Sequence, residues 1–264
     1  MSDALHEIYH FLLHKWIGKW RHGVHSPLVY ELTDQVLSKK NTSPEFKRLQ
    51  ILRKELSKNT KEIEVQDFGA GSRKHKDSKR KVCDIAKSAL APTTQAEAFF
   101  KLARRFQPET IIEMGTSLGL TTLYFSKALP KANIHTLEGS PEIAAFANQL
   151  FIEEKATNVS LHIGEFSSTI PVILDLEKKI DLLYIDGNHR YEATLKYIDI
   201  FRDKLSENAI IILDDIYWSK EMTTAWQEVS AREEYSLSLD FYHFGILFLE
   251  KRMTKEHFVL NGLR

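Results

Sequence analysis

The sequence predicts an α/β fold with a doubly wound, mostly parallel sheet, and the order of its segments is the evidence. From residue 110 onward, five short apolar segments have the length of buried strands, and helical segments separate them. Strands that alternate with helices pair in parallel, and right-handed crossovers cover both faces of the sheet. Two further strand-like stretches, 234–240 and 242–250, are too close for a helical crossover, so we expect a seven-stranded sheet that ends in an antiparallel hairpin.

The composition is that of a folded protein without a global charge. Of its 264 residues 43% are hydrophobic, which is enough for a core, and 36 basic residues balance 36 acidic ones. A neutral chain offers no electrostatic field for nucleic acid, and no apolar run approaches the roughly 20 residues of a membrane span. The N-terminus lacks a secretory signal pattern, and the single cysteine, Cys83, excludes an internal disulfide. We expect a soluble cytoplasmic protein without a nucleic-acid or membrane partner.

Residues 1–90 predict a helical extension in front of the sheet domain, 91–264. The spacing over 4–20 is that of an amphipathic helix whose apolar side chains share one face, namely Leu5, Ile8, Leu12, Trp16 and Trp20. We expect the two tryptophans to pack this helix onto the sheet domain, and exposed aromatic residues in this region to support a homodimer. A turn with His22 and His25 follows, and further helices are predicted over 28–38 and 44–56.

The segment Asp67–Ser72 resembles a cofactor-binding turn, but no apolar strand ending in an acid follows at the required distance. We therefore interpret 67–81, with its run of basic residues, as a loop.

The sheet domain begins with a helix predicted over 94–106. Strands are predicted at 110–114, 133–138, 159–163, 181–185 and 208–213. Helices are predicted between and after them at 118–128, 141–155, 167–177, 189–204 and 219–231.

The first strand runs into Glu113 and then into a turn with glycines at 115 and 119. Because glycine has no Cβ, such a turn lets backbone N–H groups and a helix N-terminus approach a ligand. This position, the carboxyl end of the first strand, is where α/β folds bind nucleotide-like cofactors. The second strand ends in another acid, Glu138, and a carboxylate can accept hydrogen bonds from two adjacent hydroxyls.

Three further acids follow the fourth and fifth strands. Asp186, Asp214 and Asp215 would meet at one edge of the sheet, where carboxylates repel unless a proton or a cation lies between them. Their hard oxygen atoms suit Mg²⁺ or Ca²⁺. Alternatively, one of them acts as a helix N-cap, a position that Asp favours. His189, three residues after Asp186, titrates near neutral pH and is a candidate proton acceptor.

Together these strand ends, over residues 93–250, resemble the class I S-adenosylmethionine-dependent methyltransferases, which have a Rossmann-like sheet. The resemblance implies the following cofactor-binding residues: Glu113, Gly115, Thr116, Ser117 and Gly119 at the methionine end, Glu138 and Gly139 at the ribose, Glu165 at the adenine, and Asp186.

The turn also indicates a subgroup of this family, because Ser117 occupies a position where the family usually has a glycine. In this it is similar to the small-molecule O-methyltransferases of the catechol, caffeoyl-coenzyme A and macrocin type. The metal-dependent members of that group imply a divalent cation on Asp186, Asp214 and Asp215, with His189 and Asp186 as catalytic residues.

The predicted function is therefore transfer of a methyl group from S-adenosylmethionine to a small-molecule hydroxyl, with help from a divalent metal. Tyr217 and Trp218, directly after the acid pair, are candidate walls of the acceptor pocket. One alternative is an NAD-dependent oxidoreductase, although Ser117 and Leu120 occupy the second and third glycine positions of its fingerprint. Another alternative is a non-catalytic module that binds the cofactor.

Overall fold

A computed structural model describes residues 3–20, 23–66, 79–250 and 255–261. In chain order its elements are α1 Asp3–Ile17, α2 Pro27–Tyr30 with a π-helical continuation Glu31–Leu37, α3 Pro44–Leu56, β1 Glu62–Glu64, β2 Lys79–Lys81, α4 Val82–Ala89, α5 Thr93–Phe106, β3 Thr110–Met114, α6 Leu120–Ala128, β4 Asn133–Glu138, α7 Pro141–Glu153, β5 Val159–Ile163, α8 Phe166–Leu176, β6 Ile180–Ile185, α9 Tyr191–Phe201 with a 3-10 turn Arg202–Lys204, β7 Leu205–Asp214, α10 Lys220–Ala231, β8 Leu237–Asp240, β9 Phe244–Phe248 and β10 Glu256–Val259.

The predicted α/β class is confirmed. Among the described residues, eight of the strands form one mostly parallel sheet, and the chain divides into two compact units, residues 39–176 and residues 1–38 with 177–264. None of the helices in the described ranges is long and apolar enough to cross a bilayer. The division into an extension, 1–90, and a sheet domain, 91–264, stays a prediction.

In the unit 39–176, strands β3, β4 and β5 lie side by side in parallel. Met114 pairs with Leu137 and Glu138 pairs with Ile163, so the carboxyl ends of all three strands lie at one edge. A separate antiparallel ribbon joins β1 to β2, which begins within the segment predicted as a basic loop. The glycine-containing segment Asp67–Ser72 lies outside the described residues.

In the other unit, β6 and β7 are parallel, and Ile185 pairs with Leu213, so Asp186 and Asp214 follow at the same edge. Strand β9 pairs antiparallel with both β7 and β8, which confirms the predicted hairpin. The sheet gains an eighth strand because β10 pairs in parallel with β8. Four residues with one buried side chain give too weak a pattern for this strand to be predicted from the sequence.

The orientation of α1 differs from the prediction. Its buried side carries His6 and His14, whereas Trp16 is 85% exposed and Trp20, just after the helix, is 54% exposed. The expectation that the tryptophans pack the helix onto the domain is wrong. The reason is that the surface beneath the helix is polar: it presents Asp240, which is itself 1% exposed, to the histidine face.

Candidate active site

The turn between β3 and α6 has the backbone of a glycine-rich loop. Gly115, Ser117 and Gly119 have φ values of 104°, 49° and 79°. A Cβ at Gly119 would lie 2.7 Å from the ring of Phe151, so the close approach requires glycine there. Ser117 adopts the left-handed conformation that non-glycine residues rarely take. The sequence therefore departs from the usual glycine at 117 while the backbone keeps the conformation that glycine favours.

Backbone hydrogen bonds fix this turn against β4. The N–H groups of Gly115 and Thr116 donate to the carbonyl of Leu137, at 3.0 and 3.1 Å. The N–H of Ser117 donates to Oε2 of Glu138, and the N–H of Ser140, beyond Gly139, donates to Oε1, both at 2.9 Å. Because each carboxylate oxygen has further lone-pair capacity, Glu138 can still accept two hydroxyl hydrogens. Backbone N–H groups on both sides of the carboxylate therefore help to fix its position.

Glu113 is completely buried beneath the turn. Thr122 and Thr136 both donate to Oε2, the latter at 2.7 Å, and Thr136 lies 2.6 Å from the hydroxyl of Thr116. Oε1 has no hydrogen-bond partner within the described structure. Burial is the main reason that the pKa of Glu113 is raised to about 7; the charge of Glu138 adds to the effect and the two threonines oppose it. A buried acceptor without a partner fits a cationic ligand group.

Glu165 lies at the same edge, directly after β5. The N–H of Gly164, with φ 139°, donates to the carbonyl of Glu138 at 2.9 Å. The backbone carbonyl of Glu165 accepts from Ser168 at 2.9 Å, and its carboxylate is exposed at the start of α8. The predicted cofactor residues of this unit, from Glu113 to Glu165, therefore lie at one edge of its three strands.

The second cluster lies at the ends of β6 and β7. The hydroxyl of Tyr184 lies 2.9 Å from Oδ2 of Asp186 and 2.5 Å from Oδ2 of Asp214. A hydroxyl carries one hydrogen, so it can donate to only one of these carboxylates at a time. Asp214 also accepts from the N–H of Asp215 at 2.9 Å. The prediction that the acids of these two strands lie together is confirmed.

His189 adjoins this cluster. Its Nε2 is 3.7 Å from Oδ1 of Asp186 and 3.9 Å from Oδ2 of Asp215, and its ring centroid lies 5.6 Å from that of Trp218. Burial lowers the pKa of His189, and the charge of Asp214 partly opposes this shift. The imidazole is therefore neutral at pH 7 and can accept a proton, and the nearby carboxylates would stabilise the resulting imidazolium.

Two roles were considered for these aspartates, helix capping and metal binding, and neither is seen in the described part of the chain. The N-cap residues of α9 and α10 are Arg190 and Ser219, so the N-cap expectation for the aspartates is wrong. Over the ranges that the structure describes, no group of three or more His, Cys, Asp or Glu side chains is placed to hold a metal ion.

The sequence did not reveal a third buried network, around Asp240. This carboxylate accepts hydrogen bonds from the hydroxyl of Tyr217 at 2.6 Å, from Nε1 of Trp226 at 3.1 Å and from the N–H of Tyr242 at 2.9 Å. Nε2 of His14 lies 3.1 Å away. Tyr217, a predicted pocket wall, is thus held in place. The available signal was an acid at the end of a hairpin strand in which leucine and serine alternate.

Comparison with known proteins finds a methyltransferase domain in part of the chain. Residues 112–216 match the family model of a methyltransferase domain. No curated protein matches the chain in sequence. The matched residues run from β3 to just beyond β7, so they include the ends of the strands that carry both acidic clusters.

This match supports the resemblance to the class I S-adenosylmethionine-dependent methyltransferases. Three solved structures share the fold. The Podospora anserina methyltransferase PaMTH1, bound to S-adenosylhomocysteine, is 17% identical with a TM-score of 0.58, over 85% of this chain and 96% of its own. An O-methyltransferase from Bacillus cereus, also bound to S-adenosylhomocysteine, is 14% identical with a TM-score of 0.55. The match covers 84% of this chain and 97% of that one. The O-methyltransferase TomG from Streptomyces achromogenes is 17% identical with a TM-score of 0.53, and the match covers 61% of this chain and 82% of TomG.

Proposed function

We propose that this methyltransferase transfers the methyl group of S-adenosylmethionine to a hydroxyl oxygen of a small molecule. The observation that carries the proposal is Glu138, whose two oxygens each accept a hydrogen bond from a backbone N–H group, that of Ser117 or Ser140. A carboxylate held in this way suits the paired hydroxyls of a ribose. The cofactor supplies an electrophilic methyl group on a sulfonium.

The remaining residues of the turn fit the other parts of this cofactor. We assign the unpartnered Oε1 of Glu113 to the ammonium of its amino-acid end. The turn at Gly115, Thr116, Ser117 and Gly119, at the N-terminus of α6, suits the adjacent carboxylate because helix N-termini attract anions. Glu165, an exposed acceptor at the same strand edge, is assigned to the adenine amino group.

We assign the proton transfer to His189. A neutral imidazole can take the hydroxyl proton of the acceptor, and Asp186 and Asp215, both within 4 Å, offset the charge that forms. Tyr217 and Trp218 are proposed as acceptor-pocket walls. No covalent intermediate on the protein is required, so the protein acts mainly by orienting the acceptor oxygen and removing its proton.

Oxygen is favoured as the target by two of the similar structures, which are O-methyltransferases, and the tomaymycin synthesis in which TomG acts favours a small acceptor. The oxidoreductase alternative lacks support, since Ser117 occupies the position where a dinucleotide-binding turn has its second glycine.

Calorimetry tests the cofactor assignment. We expect the protein to bind S-adenosylhomocysteine but not NADH, and Glu138→Ala to weaken that binding about 100-fold, because two hydrogen bonds to a charged group are lost. The matched control is Glu153→Ala, which removes an exposed acid of α7, the helix that follows β4, and should leave the affinity unchanged. Binding of NADH alone would contradict the proposal. Binding of S-adenosylhomocysteine without transfer to any of a panel of phenols and alcohols would favour a non-catalytic module.

The predicted divalent cation is a separate hypothesis. The side chains of Asp186, Asp214 and Asp215 do not form a set spaced for a metal in the described structure, and Tyr184 already lies between two of them. We therefore assign no step to a metal. Under the hypothesis, a chelator abolishes turnover and Mg²⁺ restores it, and the double variant Asp214→Ala, Asp215→Ala loses turnover while binding S-adenosylhomocysteine within a few fold. Full turnover in the chelator would reject the cation.

A further inference from the structure

Helix α1 is attached through its polar face. Nε2 of His6 lies 2.9 Å from the hydroxyl of Thr223, and Nε2 of His14 lies 3.1 Å from Oδ1 of Asp240. The hydroxyl of Tyr242 donates to the carbonyl of Glu7 at 2.9 Å. These contacts occur at both ends of the helix, so they fix its rotation about its own axis. The opposite face must then point to solvent.

That opposite face is apolar. Five side chains lie on it at helical spacing and are 55–85% exposed: Leu5, Ile8, Tyr9, Leu12 and Trp16. At about 150–250 Å² for a large side chain, they expose roughly 700 Å² together. Contiguous apolar patches of this size on soluble proteins mark interaction sites. We call these five residues the α1 stripe.

We propose that the α1 stripe is the contact surface for a second copy of this chain. The exposed area agrees with the roughly 800 Å² per partner of a standard protein interface. A membrane surface fits less well, because an interfacial helix carries a Lys- and Arg-rich polar face, whereas α1 has two acids and one lysine. Its polar face is, moreover, occupied by contacts with residues 223–242.

The sequence of the stripe fits an antiparallel pairing about a two-fold axis between residues 10 and 11. Leu5 would then face Trp16 of the second copy, and Tyr9 would face Leu12, so a small and a large side chain meet in both pairs. An isologous contact of this kind closes at two copies, and the helix dipoles oppose each other favourably.

Sedimentation of the full chain over a range of concentrations tests this inference. We expect wild type to be dimeric at micromolar concentration, and Leu12→Glu with Trp16→Glu to raise the dimer dissociation constant at least 100-fold. The matched control is Ile152→Glu, because Ile152 is 63% exposed on α7, like Leu12 on α1. Far-ultraviolet dichroism should remain that of wild type in all variants, since only exposed positions change.

Cysteine cross-linking tests the register. The variant Leu5→Cys, Trp16→Cys should form a disulfide-linked dimer under mild oxidation, whereas Leu12→Cys alone should not. The inference would be overturned if wild type were still monomeric at 100 times that micromolar concentration. It would also be overturned if the double variant Leu12→Glu, Trp16→Glu stayed dimeric. So would co-sedimentation of monomeric wild type with phosphatidylcholine and phosphatidylserine vesicles that the double glutamate variant fails to bind. Cross-linking through Leu12→Cys alone would reject the antiparallel pairing.

Discussion

The two acidic clusters at the strand ends are built in different ways. Around Glu138, the donors are backbone N–H groups, at Ser117 and Ser140, whose positions follow from the turn itself. Around Asp186 and Asp214, the side-chain hydroxyl of Tyr184 lies between the two carboxylates, the backbone N–H of Asp215 donates to Asp214, and a histidine adjoins the group. In the first arrangement the backbone fixes the geometry of the acceptor, which suits binding. The second can exchange a proton, which suits catalysis.

The largest effect should come from His189→Ala in the second cluster. If His189 is the base, kcat falls about 10²–10⁴-fold, while the affinity for S-adenosylhomocysteine stays within twofold. In wild type, kcat/KM should decline toward acid pH with an apparent pKa below the usual 6.5, because burial lowers the pKa of this histidine. The variant should lose that acid limb.

The control for this measurement is His257→Ala, which removes an exposed histidine on β10 and should retain both kcat and the acid limb. An unchanged kcat in His189→Ala, or equal losses in the two variants, would show that the second cluster does not transfer the proton.

A smaller effect, on stability, should come from Glu113→Gln below the first cluster. The pKa of Glu113 is raised from 4.5 to about 7 in the folded state, mainly by burial, so the folded protein binds more protons than the unfolded chain between these values. Its contribution to the free energy of unfolding is present below pH 4.5 and is lost as the pH rises through 7. The loss is about 3 kcal/mol, and the glutamine variant should escape it.

Urea denaturation of both proteins from pH 5 to pH 8 measures this difference. The free energy of unfolding of Glu113→Gln relative to wild type should rise from pH 5 to about pH 7 and level off above it. A constant difference at all pH values would mean that Glu113 stays ionised throughout, with Thr122 and Thr136 compensating its burial.

The positions of the acids at the strand ends could be predicted from the sequence, because each acid directly follows or ends an apolar strand. Glu113 and Glu138 lie at the ends of two paired parallel strands in one unit, and Asp214 ends a strand that pairs in parallel with β6 in the other, so each pair of strands brings its own acids to one edge. The orientation of α1 could not be predicted. Hydropathy favours burying Leu12 and Trp16, and the partner that reverses this preference, Asp240, is more than 200 residues away in the chain.

The contact of Tyr184 with two aspartates was missed for a different reason. A tyrosine within an apolar strand is expected to be a core residue. The parallel register of β6 and β7 is what brings its hydroxyl to Asp214. Likewise, nothing in the sequence at Ser117 shows that its backbone is left-handed, because that conformation is imposed by the glycines and by β4 around it.

The pairing of β10 has a consequence for handling the protein. The N–H of Lys19 donates to the carbonyl of Val259 at 2.8 Å, and the side-chain amide of Asn261 donates to the carbonyl of Lys15 at 3.1 Å. Segments near the two ends of the chain thus close the outer edge of the sheet together. Trimming the last ten residues, or attaching a rigid fusion there, would uncover the β8 edge and loosen α1 at once, and bare edges of this kind recruit other chains into aggregates.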